Sequence, residues 1–191
     1  VEDLLARGAK INGKDKFGNT ALILASQRGH REIVQTLLAQ GAKINLQNKN
    51  GTTALMNASG MDRVRVVQTL LALGAKLDEQ NKFGMTALME ASQNGHTGTV
   101  QILLSKGANV ILQNNTGSTA LELASKKGYT QVVQALLAKN SSKINLQTKS
   151  GDAALVQAAQ DGHTQIVRAL LTKGSKINYQ NKNGNTALML A

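Results

Sequence analysis

Residues 15–47 read "DKFGNTALILASQRGHREIVQTLLAQGAKINLQ", and this pattern recurs along the whole chain. A glycine in the opening turn marks each copy, and successive marker glycines are 33, 33, 33, 34 and 33 residues apart. They are Gly18, Gly51, Gly84, Gly117, Gly151 and Gly184. A fixed period of this length is typical of repeat proteins, in which one small unit is stacked on the next.

The first half of each copy predicts a turn followed by a short helix. Residues 15–18 have turn composition, because glycine adopts a positive φ without strain. Thr20 is expected to cap the helix by accepting a hydrogen bond from one of its first backbone N–H groups. Leu22 and Ala25 share one face of that helix, and Gly29 ends it.

The second half predicts another helix with a buried stripe. Ile33, Val34, Leu37 and Leu38 have helical spacing and are expected to be buried, and Gly41 ends the helix in a left-handed conformation. The few aliphatic side chains of one copy cannot offset the conformational entropy that is lost when about thirty residues become ordered. A single copy is therefore not stable alone. Stability must therefore come from stacking each helix pair on its neighbours, in one elongated domain.

The turn glycine, Thr-x-Leu, Gly-His, the leucine pair and Gly-Ala recur in fixed register, and the chain resembles the ankyrin repeat family. The resemblance implies an all-α helical repeat solenoid of stacked helix-turn-helix repeats with extended β-hairpin-like loops. It covers residues 1–191 as a single domain: partial repeats at 1–14 and 181–191 flank full repeats at 15–47, 48–80, 81–113, 114–147 and 148–180.

Several copies depart from the family pattern. The family's Thr-Pro-Leu-His is Thr-Ala-Leu here, and the chain contains no proline. Asp62 stands where other copies have glycine, so we expect it to adopt the left-handed conformation. Residues 140–143 add one residue to the fourth repeat, and Ala153 replaces the capping threonine of the fifth. Local irregularity is expected at these positions.

No pattern in the sequence indicates catalysis or a cofactor. The chain has no cysteine, no glycine-rich phosphate loop and no run of apolar residues long enough for a membrane span. His30, His96 and His163 share the Gly-His position, which the resemblance assigns to structural hydrogen bonding. We therefore predict a protein that is not an enzyme and binds no cofactor or metal, and we favour an intracellular location, cytoplasmic or nuclear.

Lysines recur in the loop that projects from each repeat. The formal net charge is +11, from 22 Lys+Arg against 11 Asp+Glu. Half of the basic residues lie in these loops: Lys10, Lys14, Lys16, Lys43, Lys49, Lys76, Lys82, Lys143, Lys149, Lys176 and Lys182. Stacking places these periodic lysines in a row, which gives the protein a positive stripe. Three roles are open for this stripe: solubility, binding of an acidic protein partner, and binding of an anionic nucleic acid or lipid surface. The near absence of aromatic residues disfavours nucleic acid.

The resemblance places partner binding at the loop tips and on the exposed side of the first helices. The corresponding residues are Lys16, Phe17, Asn19, Gln27, Arg28, Lys49, Asn50, Asn57, Met61, Lys82, Phe83, Met85, Glu90, Gln93, Asn94, Asn115, Lys126, Lys127 and Lys149.

The only two phenylalanines, Phe17 and Phe83, both lie at loop tips. They are expected either to form an apolar anchor with Met61 and Met85 or to pack on the adjacent loop.

The sequence thus predicts a scaffold for protein–protein interaction, a monomeric domain within a longer chain that binds a partner through its concave face and loop tips. One alternative is the targeting or regulatory arm of a larger enzyme, channel or adaptor. A lesser alternative is a basic stripe that binds nucleic acid or anionic lipid.

Overall fold

The structure, a computed structural model, describes residues 1–139 and 153–191. These residues form twelve helices: α1 (Glu2–Ala6), α2 (Ala21–Arg28), α3 (Arg31–Ala39), α4 (Ala54–Gly60), α5 (Val64–Ala72), α6 (Ala87–Gln93), α7 (Thr97–Ser105), α8 (Ala120–Lys126), α9 (Thr130–Lys139), α10 (Ala154–Gln160), α11 (Thr164–Thr172) and α12 (Ala187–Leu190).

The chain divides into two compact units, Val1–Ala87 and Leu88–Ala191. In the first unit, α2 packs on α3 and α4, while α5 packs on α4 and α3. In the second unit, α8 packs on α9 and α10, α10 also packs on α11 and α12, and α9 packs on α7 and α11. First helices thus stack on first helices and second helices on second helices. The predicted all-α fold of stacked helical repeats is confirmed, whereas the prediction of a single domain stays a prediction.

The predicted β-hairpin-like loops are tight turns with little β pairing. Within the described ranges, the isolated β pairing is one antiparallel bridge between Lys14 and Thr20. Backbone hydrogen bonds close the turns instead, as from Asp15 N to Asn19 O at 3.0 Å and from Asn48 N to Thr52 O at 3.1 Å.

Threonines cap α2, α4 and α8, as the sequence predicts, whereas Thr186 before α12 makes no side-chain cap hydrogen bond. Thr20 accepts a hydrogen bond from Ile23 N at 3.3 Å, Thr53 from Met56 N at 3.3 Å and Thr119 from Glu122 N at 3.4 Å. Ala153 occupies the same position before α10 with an extended backbone and provides no side-chain cap. One N–H group at the start of α10 therefore lacks the partner that the threonines supply.

Replacing Ala153 with threonine should stabilise the protein by about 1 kcal/mol, because the new hydroxyl would satisfy that N–H group. Chemical denaturation of the Ala153→Thr variant measures the change. Ala153→Val, which has a similar shape without the hydroxyl, is the control. Equal stability of the two variants would contradict a capping effect.

The residues that end the helices adopt the predicted left-handed conformation. Gly29 has φ 83° after α2, and Gly41 has φ 88° after α3. Asp62 has φ 53°, and among the described residues it is the one non-glycine residue with a positive φ. The left-handed conformation predicted for Asp62 is confirmed. The irregularity expected at 140–143 lies outside the described residues.

The buried stripe of the second helices is present with two corrections, one of which is Leu38, which was expected to be buried and is half-buried. Val34 and Leu37 are buried, but Ile33, which was expected to be buried, is 39% exposed. Its equivalent in α5, Val66, is 1% exposed because α3 packs beside α5. Ile33 instead borders an open groove together with Val1 and Glu2. Burial at this position therefore depends on the neighbouring helix as well as on the helical period.

The first helices bury serine hydroxyls that make no hydrogen bond. Ser26, Ser59, Ser92 and Ser125 occupy equivalent positions, are fully buried, and have side-chain oxygens without a partner. The fifth copy has Ala159 at this position, so the fold does not need the hydroxyl. A buried polar atom without a partner is destabilising.

Substituting Ser59→Ala should leave the free energy of unfolding unchanged or increase it, by up to about 1 kcal/mol, because an unpaired polar group is removed. Thermal and chemical unfolding measure the effect. Ser59→Thr, which keeps the hydroxyl and adds a methyl group to a closed site, should be destabilising. A clear loss of stability in Ser59→Ala would show that the hydroxyl has a partner after all.

Candidate partner-binding surface

Each described loop tip is organised by one Asx side chain. Asp15 Oδ1 accepts hydrogen bonds from Phe17 N and Asn19 N, both at 2.8 Å. The same two bonds, to the backbone N–H groups two and four residues later, are made by Asn48, Asn81, Asn114 and Asn181. This Asx turn fixes the backbone at the tip, so the two residues that follow the Asx project in the same way from each copy.

The tips of the first unit are joined to one another by their backbones. Lys49 N donates to Phe17 O at 3.0 Å, and Lys82 N donates to Asn50 O at 2.9 Å. Gly18 permits this approach, because a Cβ atom there would lie 2.7 Å from Lys49 N. The residue pairs 16–17, 49–50 and 82–83 therefore form a continuous surface, which we call the tip row.

Hydrogen bonding lowers the pKa of Asp15. Desolvation raises the pKa, but the hydrogen bonds from Asn19, Phe17 and Gly18 together outweigh it and hold the pKa below the usual 3.8. A lowered folded-state pKa contributes stability above the unfolded pKa, and that contribution is lost as the pH falls through the folded value.

Replacing Asp15 with asparagine should keep the turn, since asparagine already occupies this position in four other loops, and should remove this part of the acid sensitivity. The stability of the wild type relative to Asp15→Asn should decline as the pH falls from about 5 to about 2. Denaturant unfolding across this range measures the difference, and Asp161→Asn, at the end of α10 and outside the Asx turns, is the control. A constant difference would contradict the effect.

Both phenylalanines are exposed at the tip row. Phe17 is 60% exposed and Phe83 is 59% exposed. Lys16 Nζ lies 5.0 Å from the centre of the Phe17 ring, within the range of a cation–π contact.

The methionines do not join the phenylalanines in one apolar patch. Met85 is only 8% exposed, so its place among the predicted surface residues is corrected. It follows the tip within the turn of Asn81, where its N–H group is held by Asn81 Oδ1 at 3.0 Å. Met61 is 47% exposed, but it follows α4, at the other end of that helix from the tip and about 10 Å away along its axis.

The other predicted site residues separate by exposure. Two of the half-buried residues have structural contacts: Asn19 Oδ1 accepts from Asn48 Nδ2 at 2.8 Å, and Gln27 O accepts from Arg63 Nε at 3.0 Å. Lys149 lies outside the described residues. Asn57, Glu90 and Gln93 are half-buried, whereas the exposed ones are Lys16, Arg28, Lys49, Asn50, Lys82, Asn94, Asn115, Lys126 and Lys127.

Sequence reasoning missed Leu24, which is 41% exposed on α2. Its equivalents in later copies include Asn57, Glu90 and Gln157. This variation in polarity among the copies was the signal in the sequence that could have indicated an exposed position. Glu90 carries a charge on the same helix position, and burial raises the pKa of its carboxyl group. Titratable groups with a shifted pKa are more frequent at binding sites than elsewhere.

In the fifth copy the histidine of the Gly-His position contacts the preceding repeat, in keeping with the structural role that the family resemblance implied. His163 Nε2 lies 3.2 Å from Lys126 O, and its ring covers Gly128. In the second repeat, which has no histidine there, Arg63 makes the equivalent contact with Gln27 O and covers Gly29. In residues 1–139 and 153–191 no group of three or more His, Asp or Glu side chains is placed to hold a metal ion.

The predicted lysines are exposed wherever the structure describes them; Lys143 and Lys149 fall outside that part. Some have contacts within the protein. Lys14 Nζ donates to Gln47 O at 2.8 Å, and Lys76 Nζ lies 3.1 Å from Glu79 Oε1. Lys16 and Lys49 remain at the tip row beside Phe17, so positive charge and an exposed aromatic ring share one surface.

A family model of ankyrin repeats matches the chain in three copies, at residues 1–81, 64–148 and 140–191. The chain belongs to the ankyrin repeat family. Ankyrin repeats are protein–protein interaction modules, and their fold is typically non-catalytic. No curated protein matches this chain at a significant level. None of the helices that the structure describes is long and apolar enough to cross a bilayer.

Proposed function

We propose that this ankyrin repeat chain is a non-enzymatic recognition module that binds another protein through its loop tips and the exposed side of its first helices. The observation that carries the proposal is the tip row of the first unit, where two phenylalanines are exposed on a backbone that hydrogen bonds hold in place. Exposed aromatic side chains on a rigid surface are the usual anchors of protein interfaces.

The same surface favours an acidic partner. Lys16 and Lys49 are exposed next to Phe17, and Lys82 next to Phe83, in a chain with a net charge of +11. Complementary charge accelerates association and orients a partner. Aromatic rings that become buried when the partner binds contribute most of the affinity. The proposed partner therefore presents carboxylates around apolar pockets or side chains that receive the two rings.

The internal repeats support a binding role for the rings. The positions of Phe17 and Phe83 are occupied by Asn50, Thr116, Ser150 and Asn183 in the other copies. Because the same turn forms with polar residues at this position, folding does not require an aromatic ring there. Since burial of such rings against the loop is also incomplete, contact with a partner accounts for them better than stability does.

The double substitution Phe17→Asn and Phe83→Asn should weaken partner binding by at least about tenfold and leave the melting temperature unchanged. The wild type and this variant serve as paired baits, and partners identified by mass spectrometry are purified for affinity measurement. Asn183→Ala, a substitution at an equivalent tip, is the control. Equal retention of partners by both baits, or a large fall in melting temperature, would contradict the anchor role.

In the alternative function, the domain is the targeting or regulatory arm of a larger enzyme, channel or adaptor. It would bind its partner through the same surface. A nucleic-acid or lipid binder, in contrast, would depend on charge alone. Its affinity would fall steeply with salt for many different polyanions and would be insensitive to the two phenylalanines. Measuring the double variant at low and high salt therefore separates this alternative from protein recognition.

A further inference from the structure

The second helices of the first unit form a second surface, which shares no residue with the tip row. Between the second helices α3 and α5 lies a groove of about 330 Å³. Its lining includes Arg31, Gln35, Arg65, Gln68, Ala72 and Leu73. Its residues come from the second helices alone, so it is separate from the first helices and tips that carry the proposed function.

One end of the groove is positively charged. Arg31 begins α3 and Arg65 is the second residue of α5, and both side chains are exposed. Arg31 Nε lies 3.4 Å from Thr69 Oγ1, a contact that orients the guanidinium group across the groove. Within the part of the chain that the structure describes, the guanidinium group of Arg65 has no hydrogen bond or ion pair. Two guanidinium groups in this position favour a carboxylate, which they can bind through paired N–H groups.

The other end of the groove is apolar. Leu73 directly follows α5 and is 54% exposed, and Ala72 beside it is also exposed. Leu73 lies eight residue steps after Arg65, which corresponds to about 12 Å along the helix axis. The groove therefore offers a cationic contact and an apolar contact at a fixed separation, with the Gln35 and Gln68 amides between them.

The other repeats show that the fold does not require these residues. Arg31 is replaced by Val64, Thr97, Thr130 and Thr164 at equivalent positions, and Arg65 by Glu32, Gly98, Gln131 and Gln165. Leu73 is replaced by Gln40, Lys106, Lys139 and Lys173. An exposed leucine and two neighbouring arginines thus occur together in one groove, at positions where the other repeats carry different residues.

We propose that this groove is a second peptide-binding site, which takes a short extended segment with an acidic residue and an aliphatic residue about four positions apart. In an extended chain, four residue steps span about 13 Å, which matches the separation of the two ends of the groove. Arg31 and Arg65 bind the carboxylate, Leu73 and Ala72 contact the aliphatic side chain, and the glutamine amides bind the intervening backbone.

The test uses the full chain labelled with ¹⁵N and the pentapeptide acetyl-Glu-Ser-Gly-Ser-Leu-amide, titrated to millimolar concentration. Amide signals of α3, α5 and Leu73 should shift, while those of the tip row stay in place. Arg65→Gln and Leu73→Lys should each weaken binding by at least about fivefold, because each removes one of the two contacts. Both variants place in the groove a residue that another repeat already carries there, so folding is retained.

Two controls make the result specific. Arg168→Gln removes an equal charge from α11 and should not alter peptide binding, and acetyl-Lys-Ser-Gly-Ser-Leu-amide should not bind. The proposal is overturned by three results: no shifts in α3 and α5, shifts that Arg65→Gln and Leu73→Lys leave unchanged, or shifts confined to the tip row. Equal binding of inorganic phosphate and of the peptide would also overturn it, because it would identify a simple anion site.

Discussion

The close approach of each repeat to the next is the constraint on which the rest of the structure depends. A Cβ atom on Gly29 would lie 2.8 Å from Arg63, and one on Gly95 would lie 2.7 Å from the ring of Tyr129. At the tips, Gly18 similarly admits the backbone of Lys49. These glycines therefore need both a positive φ and an absent side chain. The contact they allow lets short helices bury their apolar faces on the neighbouring repeat.

The stacking that constrains some positions leaves others unconstrained. The turn Asx, the glycine and the capping threonine recur because each has a hydrogen bond or a contact that fixes it. The third residue of the turn is not fixed in this way, since it is Phe, Asn, Thr or Ser in different copies. Of these residues, Thr116 hydrogen-bonds to the turn through its side chain, donating to Asn114 Oδ1 at 2.7 Å. Comparison among repeats therefore separates residues required for folding from residues that are available for binding.

Much of this architecture could be predicted from sequence, because its determinants are local. The caps at Thr20, Thr53 and Thr119 and the left-handed Asp62 follow from residue type and position alone. Exposure was less predictable, because it depends on what lies next to a position: Met85 is buried and Ile33 exposed, contrary to expectation. The groove of Arg65 and Leu73 was missed because its residues come from two repeats, and no pattern within one repeat brings them together.

Stacking also explains why local defects persist in this chain. The missing cap at Ala153, the unpaired hydroxyl of Ser59 and the partly buried carboxyl of Glu90 each lower stability where they occur. In a repeat protein, stability is approximately the sum of the contributions of single repeats and of the interfaces between neighbours. A weak repeat is therefore supported by the interfaces on both of its sides. This support frees single positions to acquire charged or apolar residues for recognition, provided that the contacts between repeats are kept.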